Sequence, residues 1–488
     1  MVMQENTKGL YAAFKAKDVR FDGRFFVGIS STGIYCRPVC RARQPKAENC
    51  TFFRTAAAAE QAGYRPCLLC RPELAPGSAI TDATANLVCR AARMLERNCG
   101  SGQKLREIAE RLGCTDRHLR RAFTAEYHVS PVQYLQTCRL LLAKSLLTDT
   151  NLSVLEVAMA AGFGSLRRFN DLFKIRYQLT PTALRKRQLG GRAHNEEITL
   201  MLGYRPPYIW DKMLKFLSGR AIRGIEVIKN DEYLRTVQLK NAEGKQFCGW
   251  VRVGNRPAEN ALSVTVSESL LPVLSEVLAR IKNLFDLYCE PNAVYETLKV
   301  MNDLRPGAGV LGTRVPGCFN TFETSVRAVL GQQVTVKAAS TLAARFVAAY
   351  GSQIQTGIEG LTHSFPAPEK ILALGENITE RLGKLGIISA RANTIYQLAV
   401  ILAGAKLDFE FCGDPEEEIQ KLQAVRGIGS WTAQYIAMRT MSWPDAFLAT
   451  DAGIKKALPG YTAKELQLLS EEWCPWRSYA TVNLWNIL

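Results

Sequence analysis

Four cysteines near the N-terminus have the spacing of a metal site. Cys36 and Cys40 form a C-x3-C pair, and Cys67 and Cys70 form a C-x2-C pair. Each short spacing places two sulfurs on one turn, so the two pairs predict one tetrahedral Zn²⁺ site. A thiolate in arginine-rich sequence is also a nucleophile suited to a polyanion. The spacing alone favours a purely structural zinc site, and the reactive site is the alternative.

A second chemical candidate is a carboxylate that follows a glycine turn. A helix is expected to end at Gly427 and Gly429, with Ser430 capping the next helix, so that free backbone N–H groups could hold a phosphate. About twenty residues later an apolar run ends at Thr450 and Asp451, where another helix is expected to begin. An aspartate there is most often an N-cap. The same carboxylate could stabilise an oxocarbenium-like sugar or help to activate water.

Aromatic residues are concentrated around this carboxylate in the sequence. They are Trp431, Tyr435, Trp443, Trp473, Trp476 and Trp485. Tryptophans are more often part of a core than of a binding site, so some of the six are expected to be buried. An aromatic cleft would favour a cationic, alkylated base through stacking and cation–π attraction.

The positive charge is concentrated in the first two-fifths of the chain. The net charge is +17 over 488 residues, and residues 1–190 carry +15 of it, with 30 Lys and Arg against 15 Asp and Glu. Within this part, the pattern of residues 105–131 recurs at 154–181, with a glycine turn between two helix-period segments. This is the pattern of a tandem helix-turn-helix, a reader of the DNA major groove.

The expected second helices of the two copies are basic. They carry Arg117, His118, Arg120 and Arg121 in the first copy and Arg167 and Arg168 in the second. Such side chains suit guanine edges and phosphates. For any one of them, a solvated helix face is the simpler interpretation, and the tandem arrangement favours DNA binding.

The chain has no apolar run of membrane-spanning length and no signal-peptide core, so no membrane association is expected. Its 14 cysteines are mostly scattered, which suits a reducing cytoplasm. For a DNA-binding protein this implies a cytoplasmic, nucleoid-associated location.

The composition and patterning predict a multidomain α+β protein with four units. These are a small zinc domain (1–76), a tandem helix-turn-helix all-α domain (77–190), a small antiparallel α+β domain (197–311) and an all-α helix-hairpin-helix domain (312–488). Glycine- and proline-containing breaks at 76–78, 190–195 and 305–309 separate them. Strands are expected within 225–228, 233–239, 247–253 and 262–266, followed by a long helix at 274–288 and helices beyond 319.

These motifs support resemblances to known families. The segments 31–43 (STGIYCRPVCRAR) and 65–70 (RPCLLC) resemble the zinc domain of the Ada adaptive-response protein, and the tandem repeat resembles an AraC-type DNA-binding domain. The Ada resemblance implies that all four cysteines bind one zinc ion, which is structural and also activates the nucleophile. It assigns to Cys36 the irreversible removal of a methyl group from a DNA methylphosphotriester. The accompanying loss of negative charge would tighten DNA binding.

The remainder of the chain resembles AlkA-type 3-methyladenine DNA glycosylases. The matching segments are 204–208 (YRPPY), 327–334 (RAVLGQQV), the glycine hairpin and 475–480 (PWRSYA). The resemblance implies that Asp451 is catalytic, and it assigns the residue that fills the gap of a flipped base to Gln333, where Leu is frequent. Ala452 replaces an aromatic residue found in some members, which would widen the pocket. The aromatic cleft is assigned to Trp431, Tyr435, Trp485 and Phe216.

Two further implications concern the chemistry. Bifunctional relatives carry a Schiff-base lysine at the position of Trp431, and a tryptophan forms no imine, so simple hydrolysis without strand cleavage is expected. No cysteine cluster follows the hairpin, so no iron–sulfur cluster is expected.

The sequence therefore predicts an enzyme that repairs alkylated DNA and regulates that repair. Its expected partners are double-stranded DNA containing alkylated bases and methylphosphotriesters, promoter DNA and, as a further candidate, RNA polymerase. The excised bases would be of the 3-methyladenine and 7-methylguanine type. The rival hypothesis is a methylation-responsive transcription factor whose glycosylase half only binds DNA.

Overall fold

The computed structural model describes residues 7–18, 21–75, 86–101, 103–188, 198–404, 409 and 415–488. The breaks predicted at 76–78 and 190–195 lie outside the described residues, and the four domain boundaries stay predictions. None of the helices in these ranges is both long enough and apolar enough to cross a membrane.

The cysteine-bearing segment is a small sheet with short helices. Its elements are α1 Thr7–Lys15, β1 Phe26–Ile29, β2 Ile34–Cys36, β3 Cys50–Phe53, α2 Ala56–Gln61 and β4 Arg65–Pro66. The strand order is β3-β1-β2-β4, with β2 and β4 parallel and the other pairs antiparallel. The parallel pairing aligns Tyr35 with Pro66, which brings the two cysteine pairs together.

Seven helices follow, and they form the predicted tandem repeat. They are α3 Asn86–Arg97, α4 Leu105–Arg111, α5 Asp116–Tyr127, α6 Pro131–Asp149, α7 Val154–Ala160, α8 Leu166–Tyr177 and α9 Pro181–Gln188. The second helix of each copy begins at a hydroxyl cap: the Thr115 side chain accepts from the His118 N–H, and the Ser165 side chain accepts from the Arg168 N–H. The long helix α6 connects the copies.

The next unit is a five-stranded antiparallel sheet with helices. Its elements are β5 Ile198–Gly203, α10 Trp210–Ser218, β6 Glu226–Lys229, β7 Glu232–Lys240, β8 Gln246–Arg256, β9 Ala261–Val266, α11 Leu274–Leu284, α12 Pro291–Leu298 and α13 Met301–Leu304. The strand order is β5-β9-β8-β7-β6. Strand β5 was not predicted. Its buried Ile198, Leu200 and Leu202 alternate with half-buried residues, and this period-two pattern is the signal that could have identified it.

The predicted helix over 274–288 is too long. Helix α11 ends at Leu284, because Asp286 adopts a left-handed backbone conformation with φ 51°, which is incompatible with a continuing helix. The four strand predictions, by contrast, correspond to β6–β9 with shifted ends.

The C-terminal unit is helical apart from one two-residue strand pair. Its elements are α14 Thr321–Leu330, α15 Val336–Tyr350, β10 Ser352–Gln353, β11 His363–Ser364, α16 Pro368–Leu372, α17 Ile378–Gly383, α18 Ser389–Ala403, α19 Pro415–Gln423, α20 Ser430–Thr440, α21 Ala452–Ala457, α22 Ala463–Leu469 and α23 Arg477–Asn486. Two buried cores involve this unit, one around α14, α18 and α20 and one around α21 and α23 that also includes residues of α12 and α13. The partly buried Tyr435 packs against both cores, so this aromatic residue, one of those predicted to bind a base, lies where they meet. The predicted fold class, a multidomain α+β protein with these four kinds of unit, is confirmed.

Candidate active site and metal centre

Asp451 is the N-cap of helix α21. Its Oδ1 accepts hydrogen bonds from the Gly453 N–H at 2.8 Å and the Ile454 N–H at 3.1 Å. Asp451 itself therefore caps the helix. The cap fixes the carboxylate in one orientation on a rigid helix start.

Two tryptophans hold the same carboxylate. The Trp431 Nε1–H donates to Asp451 Oδ2 at 2.9 Å, and the Trp485 Nε1–H donates to Oδ1 at 2.9 Å. Asp451 is half-buried, and it forms no ion pair with any Lys or Arg in the described part of the chain. Four neutral N–H donors thus hold the carboxylate while its negative charge stays uncompensated by a cation, which suits the stabilisation of a developing positive charge.

The aromatic residues predicted to bind a base form a connected wall. The rings of Trp431 and Tyr435 are stacked, with centroids 5.3 Å apart and planes 12° apart. Tyr435 and Trp485 are 6.4 Å apart and tilted by 46°. Phe216 lies 6.1 Å from Trp485 with a 22° angle between the rings, but it is only 7 % exposed and does not line the cleft. The structure therefore places Phe216 behind Trp485 as support for that ring.

The wall encloses a cleft of about 410 Å³. Asp451, Ala452, Trp431, Tyr435 and Trp485 line it, and Ala452 is exposed. The cleft has the size of a small-ligand pocket and combines a carboxylate with aromatic faces. The small Ala452 side chain leaves space at its mouth.

Three arginines around Tyr435 were not predicted. Arg220 and Arg327 line the cleft, and the Arg439 Nη1–H donates to the Tyr435 hydroxyl at 2.6 Å. Burial alone would raise the pKa of Tyr435, but the Arg439, Arg220 and Arg327 guanidinium groups outweigh it and lower that pKa. The sequence did carry one signal, because Arg439 is four residues after Tyr435 and therefore on the same helix face.

The glycine turn positions a helix start beside the cleft. Gly427 has φ 93°, and a Cβ there would lie 2.1 Å from Thr394 Oγ1, so this position requires glycine. Gly429, and not Ser430 as predicted, is the N-cap of α20, and no side chain accepts a hydrogen bond from the helix start. The extended backbone of Gly429 leads directly into the helix, so Ser430 is already its first residue. Uncapped N–H groups at an exposed helix start can bind a phosphate.

Gln333 lies beside this hairpin. It is exposed and has a left-handed backbone with φ 52° in the turn between α14 and α15. Its neighbour Gln332 donates through Nε2 to the Gly427 carbonyl at 2.8 Å and to Thr432 Oγ1 at 3.0 Å. The turn is thereby tied to the hairpin, and Gln333 extends from the surface next to the cleft.

The four predicted zinc ligands converge. The sulfurs of Cys36, Cys40, Cys67 and Cys70 all lie within 4.8 Å of one another. Four soft sulfur donors at this separation fit one tetrahedral Zn²⁺ and not a hard cation, and the predicted zinc cofactor is confirmed. Cys36 is 2 % exposed, whereas Cys70 is half-buried.

The arginines next to the cysteines have carboxylate partners. Arg37 is buried and donates through Nε to Asp22 at 2.8 Å, while its backbone N–H donates to Cys70 Sγ at 3.3 Å. Arg71 pairs with Glu73 at 2.9 Å. These two guanidinium groups are therefore structural, and the exposed Arg41 and Arg43 remain available to an anionic partner.

The basic residues on the second helix of each copy are on the surface. Arg117, His118, Arg120 and Arg121 on α5 and Arg167 and Arg168 on α8 are exposed. Arg120 pairs with Asp116 at 2.9 Å, one turn away. Each copy thus presents basic side chains to solvent, as a major-groove reader requires.

Comparison with known families divides the chain in the same order. Residues 9–73 match "Metal binding domain of Ada", 108–187 match "Helix-turn-helix domain", 199–320 match "AlkA N-terminal domain", and 326–465 match "HhH-GPD superfamily base excision DNA repair protein".

Individual relatives cover all or part of the chain. A Mycobacterium tuberculosis protein described as "Probable bifunctional transcriptional activator/DNA repair enzyme AlkA" is 36% identical over 100% of this chain and 97% of its own length. "DNA-3-methyladenine glycosylase 2" of Escherichia coli is 36% identical over 58% of this chain and 95% of its own length. "Bifunctional transcriptional activator/DNA repair enzyme AdaA" of Bacillus subtilis is 30% identical over 35% of this chain and 78% of its own length. Because one relative is 36% identical over 100% of this chain and 97% of its own length, this chain belongs to the Ada–AlkA family of bifunctional transcriptional activators and DNA repair enzymes.

Proposed function

We propose that the C-terminal half releases alkylated bases from duplex DNA by hydrolysing the N-glycosidic bond. The observation that carries this proposal is the position of Asp451, which the indole N–H groups of Trp431 and Trp485 hold at the edge of an aromatic cleft. A base flipped into the cleft would stack on the same rings that position the carboxylate. Binding and chemistry are thereby coupled through two side chains.

In the proposed reaction Asp451 stabilises the positive charge that develops on the sugar as the base departs. The glycosidic bond breaks with its electron pair going to the base, and a water molecule then adds to the sugar and loses a proton. A cationic alkylated base is already an activated leaving group, so no strong general acid is required. The side chain of Trp431 cannot form an imine, so the product is an abasic site in an intact strand.

DNA would be held on both sides of the cleft. The uncapped helix start after Gly429 would bind a backbone phosphate, and the exposed Gln333 would fill the space left by the flipped base. A glutamine can also hydrogen bond to the unpaired base on the opposite strand.

For the N-terminal half we propose methyl transfer to Cys36 and regulation of transcription. The Cys36 sulfur would attack the methyl carbon of a methylphosphotriester, forming a C–S bond and breaking the C–O bond, so that a phosphodiester anion leaves. Bound Zn²⁺ would keep the sulfur in its thiolate form. Helices α5 and α8 would bind promoter DNA through Arg117, Arg120, Arg121, Arg167 and Arg168. Contact with RNA polymerase and a cytoplasmic, nucleoid-associated location would follow from that role.

The test of the glycosylase proposal is base release from methylated duplex DNA. The purified chain should release 3-methyladenine and 7-methylguanine and leave the strands uncut. DNA binding without base release would instead support the rival hypothesis of a transcription factor whose glycosylase half only binds DNA.

The test of the methyl-acceptor proposal uses DNA that carries labelled methylphosphotriesters. One methyl group should be transferred per chain, and Cys36→Ser should abolish the transfer. Cys70→Ser tests the alternative acceptor, because Cys70 is more exposed than Cys36. Labelling that is lost in Cys70→Ser but kept in Cys36→Ser would point to Cys70. Labelling that persists in Cys36→Ser would refute this assignment. A complete lack of labelling in the wild-type chain would leave a purely structural zinc site.

A further inference from the structure

Arg220 is the cleft arginine with donor groups to spare. Arg327 pairs with Glu226 and Glu323, each at 2.9 Å. Arg439 is 8 % exposed and is bonded to the Gly317 carbonyl and to the Tyr435 hydroxyl. Arg220, in contrast, pairs with no carboxylate in the part of the chain that the structure describes. A guanidinium has five N–H donors, and Arg220 uses only part of them, on the Phe216 carbonyl at 3.4 Å and on the Tyr435 hydroxyl.

The position of the Arg220 guanidinium is fixed by ring contacts. Its central carbon lies 3.8 Å from the centroid of Phe216 and 5.9 Å from that of Trp485. Because Trp485 also donates to Asp451 at 2.9 Å, Arg220 and the carboxylate border the same indole. A base stacked on Trp485 would therefore be within reach of both groups.

We propose that Arg220 is a specificity-determining residue that donates a hydrogen bond to an exocyclic oxygen of the flipped base. The inference rests on the proposed base release and adds a preference within it. Guanine-type bases carry the acceptor O6, and adenine-type bases carry a donating amino group at the same position. A guanidinium donor stabilises the first arrangement and is left unpaired by the second.

Two cationic bases separate this effect from charge. Both 7-methylguanine and 3-methyladenine are positively charged in DNA, so their repulsion by the Arg220 cation is similar. They differ at position 6, where the first has an oxygen and the second an amino group. The change in the ratio of their release rates when Arg220 is replaced consequently reports the hydrogen bond and not the loss of a positive charge, which affects both bases alike.

The experiment measures both single-turnover rates on one methylated DNA preparation. Arg220→Met should lower the 7-methylguanine to 3-methyladenine rate ratio by about tenfold or more, the effect of one hydrogen bond from a charged donor. Arg220→Lys, which keeps a donor, should restore part of the ratio. Arg223→Met is the matched control, since Arg223 is exposed and does not line the cleft, and it should leave the ratio at its wild-type value.

The outcomes separate this inference from the proposed function. If the wild-type chain releases neither base, the proposed function fails. If Arg220→Met and Arg220→Lys lower both rates by the same factor, Arg220 only supports Phe216 and Trp485, and the inference is overturned. Circular dichroism of both variants shows whether they fold, and Arg220→Gln provides a third measurement of the ratio if the methionine variant does not.

Discussion

A buried ion network attaches the metal-bearing turn to helix α6, and its removal should destabilise the N-terminal half strongly. Lys144 Nζ lies 2.7 Å from both carboxylate oxygens of Glu73, and Arg71 Nε lies 2.9 Å from Glu73 Oε1. The Lys144 side chain is 1 % exposed and that of Glu73 is 4 % exposed. Arg71, which follows the zinc ligand Cys70, also pairs with Asp149 of α6 at 2.6 Å.

Glu73→Gln should lower the free energy of unfolding by about 3–5 kcal/mol, because it leaves the buried Lys144 without a counter-charge. For a unit of 150–250 residues this corresponds to a decrease of roughly 6–20 °C in the unfolding temperature. The assay heats the zinc-loaded chain with a chromogenic chelator and records the temperature of zinc release. Glu48→Gln is the matched control in the same segment, since the Lys46–Glu48 pair is exposed, and it should leave that temperature almost unchanged.

The pH dependence provides an independent check. Burial would raise the pKa of Glu73, but Lys144 and Arg71 outweigh it, so the pKa of the folded state lies below the ordinary value of 4.5. The stabilisation from this carboxylate is therefore complete above pH 4.5 and is lost as the pH falls through the lowered pKa. The Glu73→Gln variant should lack this loss.

A double-mutant cycle provides the refuting result. Lys144→Met alone should also lower the free energy of unfolding, because the buried Glu73 carboxylate then keeps only Arg71 of its two cationic partners. The double variant Glu73→Gln/Lys144→Met should cost much less than the sum of the single variants. Additive costs, or a Glu73→Gln variant as stable as the wild-type chain, would show that the pair does not hold the two units together.

Two further predictions concern the hairpin and a buried acid. Gly427→Ala should destabilise the C-terminal unit by about 2–4 kcal/mol, because its Cβ would lie 2.1 Å from Thr394 Oγ1 at a φ of 93°. Gly429→Ala, whose Cβ meets nothing within 4 Å, should keep the stability and weaken DNA binding, which thermal unfolding and a binding titration can separate. Burial raises the pKa of Glu60 to about 7, although hydrogen bonds from Tyr35 and Thr137 oppose the rise. Because this pKa is above the ordinary value of 4.5, Glu60 lowers the stability of the fold progressively as the pH rises from 4.5 to about 7. The difference in free energy of unfolding between Glu60→Gln and the wild-type chain should therefore shift in favour of the variant by about 2–3 kcal/mol between pH 5 and pH 8. Identical pH profiles of stability for the two proteins would contradict the assignment.

The features that the sequence predicted correctly are local. The cysteine spacings determined the metal site, since two short loops and four sulfurs allow few other arrangements. The tandem repeat was readable because each copy has the period of a helix and a turn glycine. Asp451 was interpreted both as a helix cap and as a candidate catalytic carboxylate; the structure confirms the cap, and the catalytic role is part of the proposed function.

The features that the sequence did not predict depend on tertiary contacts. Nothing in the sequence indicated that Trp431 and Trp485, which are 54 positions apart in the chain, donate to the same carboxylate. Phe216 was expected to face a base, and the structure places it against Trp485 with Arg220 and Arg439 over its ring, an arrangement that depends on tertiary packing. The position of Arg220 beside the same ring is equally a result of folding, because it belongs to a segment more than 200 residues before the cleft tryptophans.

The most direct measurement of the central claim compares base release and DNA binding in Asp451→Asn. The amide oxygen can still accept the cap hydrogen bonds of α21 and the bond from Trp485, and only the bond from Trp431 is lost, so the variant should fold and bind DNA containing an abasic site with nearly unchanged affinity. Its rate of 3-methyladenine release should fall by at least about a hundredfold, because the negative charge that stabilises the sugar cation is gone. Release at the wild-type rate by Asp451→Asn would contradict the account.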